Sequence, residues 1–274
     1  MWSSAYEEMV NRNLGLLTRD DQDKLKNAKV ALCGLGGLGG PVAEMLARTG
    51  IENFVLLDNG QFEASNLNRQ IFCFEDTLGQ YKTDVTEIYL KKINSAIRTQ
   101  KYRDVNQANV DKIISGCDAV ALTIDTTIPV LLLAQASRKA KIPLVEGWAL
   151  PFGNVRVYTD KTVSLEEAYG IDLKGKSIEQ LSEEEARMIS FQSVFSLVQK
   201  VDGAIEKYYT EELAERYRTS LRTSTLAPLV WVTCSFMATE IIKLILGWGP
   251  IALAPDVQVY DSLTLEKRAY SKSL

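Results

Sequence analysis

Seven residues constrain this 274-residue chain more than any others: Gly34-Leu35-Gly36-Gly37-Leu38-Gly39-Gly40, with Pro41 immediately after. The run follows the mainly apolar segment Lys29 to Gly34 and leads into an amphipathic stretch. Glycines let a backbone turn tightly and come close to a phosphate, while the free N–H groups and dipole of a helix N-terminus favour an anion. The order strand, glycine loop, helix therefore predicts a nucleotide phosphate site. Asp58 ends the next apolar run, 24 residues after Gly34, where an acidic side chain can hydrogen-bond a ribose hydroxyl.

Apolar runs alternate with longer amphipathic segments through the first 160 residues, the signature of βαβ units and a parallel sheet. Strands are predicted at Lys29 to Gly34, Asn53 to Asp58, Thr99 to Val105, Ala119 to Asp125, Pro143 to Trp148 and Asn154 to Thr159. Helices are predicted at Gly37 to Thr49, Lys82 to Ile93, Ala108 to Ser115 and Ile128 to Lys141. From Asp160 to about Ser220 the pattern is charged and helix-forming, with Ser182-Glu183-Glu184-Glu185 in it and no strand signal. A long apolar helix, Ala227 to Leu246, and two short alternating strands, Val257 to Ser262 and Leu265 to Tyr270, complete the chain. The expectation is one α/β domain, doubly wound and Rossmann-like. Its mostly parallel core lies at 27–160, a helical insertion at about 160–222, and a helix with an antiparallel hairpin at 223–274. The apolar stretch Leu226 to Gly247 carries Glu240 and Lys243 and reads as a buried or interface helix, because a membrane span needs about 20 nearly uncharged residues.

Composition excludes several chemistries. There is no histidine, and the four cysteines, Cys33, Cys73, Cys117 and Cys234, form no C-x-x-C pair, so a structural zinc site is not expected. Without histidine the commonest general base is missing, and catalysis must run on carboxylates, lysine, arginine, backbone groups and metal. A formal charge of -4 and a pI near 5.2 argue against nucleic-acid binding. The N-terminus lacks the apolar run of a signal peptide, so a soluble protein in the reducing cytoplasm is expected.

The glycine loop and Asp58 alone fit a nicotinamide dehydrogenase equally well, since Gly34, Gly36 and Gly39 also satisfy the dinucleotide fingerprint. What separates the readings is a polar cluster: Ser65-Asn66-Leu67-Asn68-Arg69-Gln70, then Gly79-Gln80-Tyr81-Lys82, then Asp125-Thr126-Thr127 after the fourth strand. Transfer of an adenylyl group needs cations on a triphosphate, a metal-binding carboxylate and groups that steer an incoming carboxylate. Hydride transfer needs none of these.

With these motifs the sequence resembles the ThiF/MoeB family, which includes the ubiquitin-activating enzymes. The likeness covers about residues 8 to 160 and returns at Ala227-Pro228-Leu229 and the helix that follows. It implies an ATP-dependent adenylyltransferase in which Gly34, Gly36, Gly37 and Gly39 cradle the phosphates and Asp58 holds the ribose. Asn66, Arg69 and Lys82 would contact phosphates, Gln70 would support the same pocket, and Asp125 would bind Mg2+. In the family an arginine ahead of the first strand crosses a dimer interface to the partner's phosphates. Arg12, within Asn11-Arg12-Asn13, is the candidate for it, which implies a homodimer with composite sites. Position 126 departs from the family, with threonine where asparagine usually follows the aspartate.

The implied product is an acyl adenylate, formed from a carboxylate already ionised at pH 7. No cysteine lies between Cys117 and Cys234, so the crossover-segment thiol of many family members is missing and a thioester relay is not expected. Cys73, just beyond the Asn-Arg-Gln run, reads as a packed small hydrophobe, with a nucleophile facing the nucleotide as the alternative; Cys33, Cys117 and Cys234 read as core. The expected substrate is a small-molecule or cofactor-precursor carboxylate. The alternatives are the C-terminal glycine of a ubiquitin-like sulfur-carrier protein, a non-catalytic nucleotide-binding scaffold and the dehydrogenase. Ser177 to Thr219 reads as a lid, a dimer contact or a partner-binding surface.

Overall fold

A computed structural model describes residues 2–199, 211, 215, 225–262 and 264–270. Two N-terminal helices, α1 (Ser4–Val10) and α2 (Arg19–Asn27), precede the core. Local chemistry starts both: the Ser3 hydroxyl accepts from the Tyr6 N–H, and Thr18 and Asp21 form a reciprocal capping box. The core then runs β1 (Lys29–Cys33), α3 (Gly39–Arg48), β2 (Asn53–Leu57), α4 (Lys82–Ile93), β3 (Arg98–Tyr102), α5 (Val110–Ile114), β4 (Ala119–Leu122), α6 (Thr127–Ala140), β5 (Leu144–Glu146) and β6 (Gly153–Tyr158). After it come α7 (Leu165–Tyr169), α8 (Glu183–Gln199), α9 (Ala227–Leu246), β7 (Val257–Asp261) and β8 (Glu266–Tyr270).

The strands form one sheet in the order β3-β2-β1-β4-β5-β6-β7-β8, parallel from β3 to β5 and antiparallel beyond. Strand side chains alternate between faces, and both faces are covered. Val30, Leu32, Phe54 and Leu56 pack toward α2, α3, α4 and α9, while Ala31, Cys33, Val55 and Leu57 pack toward α5, α6 and α7. A sheet buried on both sides reads as continuous apolar runs, which is why the doubly wound core is visible in the sequence.

Two differences from the sequence reading have physical causes. β4 ends at Leu122, three residues before Asp125, because Thr123 turns its hydroxyl onto the Cys33 and Gly34 carbonyls at 2.8 and 2.7 Å. Asp125 therefore lies in the loop ahead of α6. β3 closes at Tyr102, and its polar residues are those of a sheet edge. Lys101 reaches Asp84 and Glu87 on α4 at 2.8 and 2.6 Å, and Arg103 reaches Asp84 at 2.8 Å. The C-terminal antiparallel hairpin is present as expected, and β7 pairs with β6 so that it extends the main sheet.

Within the helical insertion, α7, a 3-10 turn at Ile178–Gln180 and α8 are seen; most of 200–222 lies outside the described residues. α9 is long and apolar enough to cross a membrane by length and composition. Its Val230, Cys234, Met237 and Ile241 join the core, and Glu240 pairs with Lys243 and accepts from the Ala252 N–H at 3.0 Å.

One buried polar cluster is costly to the fold. Glu146 and Arg156 face each other across β5 and β6, each almost fully buried. Glu146 Oε2 accepts from the Tyr169 and Tyr158 hydroxyls at 2.8 and 3.1 Å, and Arg156 Nη1 donates to the Tyr158 oxygen at 2.9 Å. Burial pushes the Glu146 carboxyl up while the Arg156 charge pulls it down. Removing one member of such a pair strands the other, at a cost of about 3–5 kcal/mol. Arg156→Met should lower the urea-denaturation free energy by that much, and Glu146→Leu combined with Arg156→Met should recover much of it; a loss below about 1 kcal/mol in the single variant would show that the charges are not coupled.

Candidate functional site

The C-terminal ends of β1, β2 and β4 meet at one edge of the sheet, and the glycine loop crosses it. Gly34 has φ +100°, and a Cβ there would lie 2.5 Å from the Thr123 carbonyl oxygen. At Gly39 a Cβ would lie 1.8 Å from the Gly34 oxygen. Neither position can carry a side chain without moving backbone. The opening of α3 is thus drawn against the end of β1, with its first N–H groups at the sheet edge.

Asp58, just past β2, ties the loop down. Its Oδ2 accepts from the Leu35 N–H and its Oδ1 from the Gly60 N–H, both at 2.7 Å. Lys82, at the start of α4, brings its Nζ to 3.3 Å from where a Gly60 Cβ would stand, with Asp58 Oδ1 3.1 Å from the same point. The acid and the lysine therefore flank one backbone position.

The predicted run 66–70 forms a tight turn. Asn66 is buried in building it: its Oδ1 accepts from the Glu63 N–H at 3.2 Å, and its backbone oxygen accepts from the Arg69 and Gln70 N–H groups. Arg69 lays its stem across Gly37, with Cγ 3.3 Å and Nε 3.5 Å from a Cβ position there. Its Nη1 donates to the Ser65 oxygen at 3.0 Å and to Asn68 Oδ1 at 2.7 Å. Partial burial lowers the guanidinium pKa, opposed by the charge of Asp125 nearby. Gln70 lies beside Gly36, and its buried Oε1 has no hydrogen-bond partner among the described residues. A buried acceptor without a donor, next to a loop with no side chains, fits a polar ligand held there.

Asp125 stands exposed in the loop between β4 and α6, without a hydrogen-bond partner among the described residues. Among those residues no group of three or more His, Cys, Asp or Glu converges. Cys73 is 5% exposed beneath the turn and directs its Sγ at the Glu63 oxygen, 3.6 Å away. Burial raises its pKa against the pull of Lys82 and Arg69, so it stays a thiol rather than a ready nucleophile. Cys33, Cys117 and Cys234 are buried as well, with Cys117 pushed up to about 11.

Arg12 is not brought to this site. It lies exposed in a 3-10 turn whose Asn13 donates to the Thr49 oxygen at 3.3 Å, beyond the far end of α3. Ten residues of α-helix separate that end from the glycine loop, about 15 Å at 1.5 Å per residue.

Residues 10–273 match the ThiF family. This chain belongs to that family. It is 28% identical over 268 residues to the molybdopterin-synthase adenylyltransferase of Escherichia coli, covering 96% of this chain and 92% of that protein. It is 36% identical over 143 residues to an adenylyltransferase and sulfurtransferase MOCS3 of Culex quinquefasciatus, and spans 33% of that protein's length. A crystal structure of E. coli MccB with ATP superposes with a TM-score of 0.68 over 98% of this chain and 72% of that one, at 23% identity, a likeness of fold.

Three further residues of this ThiF-family site were given no role of their own in the sequence reading. Thr123, whose hydroxyl holds the Gly34 carbonyl, was readable from its place between an apolar strand and Asp125. Asn68 lies inside the run that was singled out. Trp231, whose indole reaches the Arg69 carbonyl from α9, carries no local signal.

Proposed function

We propose that this protein is an ATP-dependent adenylyltransferase that activates a carboxylate as its acyl adenylate. The observation that carries the reading is the convergence of two cations, Arg69 and Lys82, and the carboxylate of Asp125 around a glycine loop anchored by Asp58. A dinucleotide site for hydride transfer has no use for that set. The comparison along nearly the whole length of a molybdopterin-synthase adenylyltransferase supports it, and the likeness to MccB agrees in fold.

In this reading Asp58 holds the ribose, and the loop Gly34, Gly36, Gly37 and Gly39 holds the phosphates, with Gln70 at its side and Asn66 shaping the turn. A substrate carboxylate oxygen bonds to the α-phosphorus while the bond from that phosphorus to the bridging β-phosphate oxygen breaks, and pyrophosphate leaves. The carboxylate is ionised at pH 7 and needs no base, in keeping with a chain free of histidine. Arg69 and Lys82 neutralise the leaving charge. Asp125, exposed and without a hydrogen-bond partner among the described residues, would hold a magnesium ion, which would add positive charge to the triphosphate.

The substrate is, in the first reading, a small-molecule or cofactor-precursor carboxylate. Supporting it, α8 and the Ile178–Gln180 turn pack over α6, and the hydroxyl of Thr127, two residues after Asp125, bonds to the Ala186 carbonyl, so the insertion is seated beside the site. The second reading, the C-terminal glycine of a sulfur-carrier protein, is favoured by the likeness along 92% of the molybdopterin-synthase adenylyltransferase. Cytoplasmic action fits the four reduced cysteines.

Arg12 serves a second subunit in this proposal. Its exposure supports that role, as does a nearby open groove of about 690 Å3 lined by Met9, Ile71, Phe74 and Tyr89. An equimolar mixture of Arg12→Ala and Arg69→Ala proteins should regain pyrophosphate exchange that neither has alone; a mixture as inactive as its parts would place Arg12 outside the reaction.

The direct test is ATP–pyrophosphate exchange with host-cell extract split into a small-molecule filtrate and a protein retentate. Stimulation by the filtrate alone indicates a small molecule, and by the retentate alone a carrier protein. Arg69→Ala and Asp125→Ala should each reduce exchange at least about tenfold, equivalent to about 1.4 kcal/mol of barrier; near-normal exchange in both would contradict the assignment.

A further inference from the structure

The turn that presents Arg69 is held from the far end of the sequence. Trp231, in the second turn of α9, donates its indole N–H to the Arg69 carbonyl oxygen at 3.1 Å, across 162 residues. Asn68 donates its side-chain amide to the Thr225 carbonyl at 3.3 Å, just before α9 begins. Its other side-chain atom, Oδ1, accepts from Arg69 Nη1 at 2.7 Å. This amide has one orientation only, since reversing it would set oxygen against the Thr225 oxygen and NH2 against the guanidinium. One turn further along α9, Cys234 Sγ lies 3.6 and 3.5 Å from the Gly37 and Leu38 oxygens. A single helix therefore touches both the arginine turn and the glycine loop.

The result is a directed guanidinium. Nη1 is occupied by Ser65 and Asn68, while Nε lies over Gly37 and, like Nη2, has no protein partner among the described residues. The unused edge of the fork thus borders the glycine loop. Arginine loses much rotamer freedom when it grips a ligand, and a side chain already fixed at one nitrogen loses less.

We propose that Trp231 and Asn68 are positioning residues for Arg69: they fix its backbone carbonyl and its Nη1, so that the remaining N–H edge meets the β- and γ-phosphates of ATP. The inference rests on the reading of Arg69 as a phosphate contact. Neither residue touches the nucleotide itself.

The experiment compares binding of Mg-ATP and of AMP, which lacks the β- and γ-phosphates, by calorimetry at one ionic strength. Trp231→Phe deletes the N–H, with part of the ring system, and keeps an aromatic side chain in the packing. Asn68→Ala removes both ends of the clamp. Each should weaken Mg-ATP about three- to tenfold, the loss of one or two modest hydrogen bonds, and change AMP affinity less than about twofold. In an Arg69→Ala background the same substitutions should have no further effect on Mg-ATP. Equal weakening of both nucleotides, or losses that multiply with that of Arg69→Ala, would overturn the proposal. If Arg69→Ala weakens Mg-ATP while Trp231→Phe and Asn68→Ala do not, the positioning role alone fails. If Arg69→Ala itself leaves Mg-ATP binding unchanged, the phosphate role of Arg69 fails and the positioning role with it.

Discussion

Where Gly39 passes Gly34, the two backbones approach so closely that a single Cβ would stand 1.8 Å from a carbonyl oxygen. That approach sets the start of α3 against the end of β1, and the remaining parts of the site are arranged around it. Thr123 holds the Gly34 carbonyl from β4, and Asp58 holds the Leu35 N–H from β2. Three adjacent parallel strands therefore fix one loop. Because the fixing groups are carried at the ends of sheet strands, the loop is held without side chains of its own. Ligands of open α/β sheets bind in the crevice beyond the strand ends, and here the crevice is bounded by Asp58 on one side and Asp125 on the other.

The cations come from two different supports. Lys82 is carried by the first turn of α4 and Arg69 by a turn that α9 braces. Desolvation lowers the Arg69 guanidinium pKa and the charge of Asp125 opposes it, and an arginine remains a cation in proteins. The buried Glu146 and Arg156 pair lies two strands away under α7. It is a polar cluster within the fold, apart from the crevice described above.

How much of this was legible in the sequence depended on how local the cause was. β1, β2 and α4 begin where the apolar pattern begins, and α9 spans the predicted residues, closed by Gly247 at φ +70°. The glycine loop, Asp58 and the 66–70 run carry their chemistry in consecutive residues, so their meeting at one edge followed from the strand order. The end of β4 was misread because Thr123-Ile124-Asp125 has strand-like composition, while the hydroxyl of Thr123 is spent on the neighbouring strand. α1 and α2 carry cap signals that periodicity alone passes over. The part played by Trp231 was invisible, since an apolar helix with one indole gives no hint that its N–H reaches a carbonyl 162 residues earlier.

The central claim is that this edge binds ATP with its ribose at Asp58 and its leaving phosphates between Arg69 and Lys82. A crystal structure with magnesium and an α,β-methylene analogue of ATP, which cannot release pyrophosphate, tests it most directly. The expected result has a ribose hydroxyl in hydrogen-bond contact with Asp58, the triphosphate over Gly34 to Gly39, and the β- and γ-phosphates contacted by both cations. A nucleotide bound with its triphosphate away from the glycine loop, or with its ribose remote from Asp58, would contradict the claim.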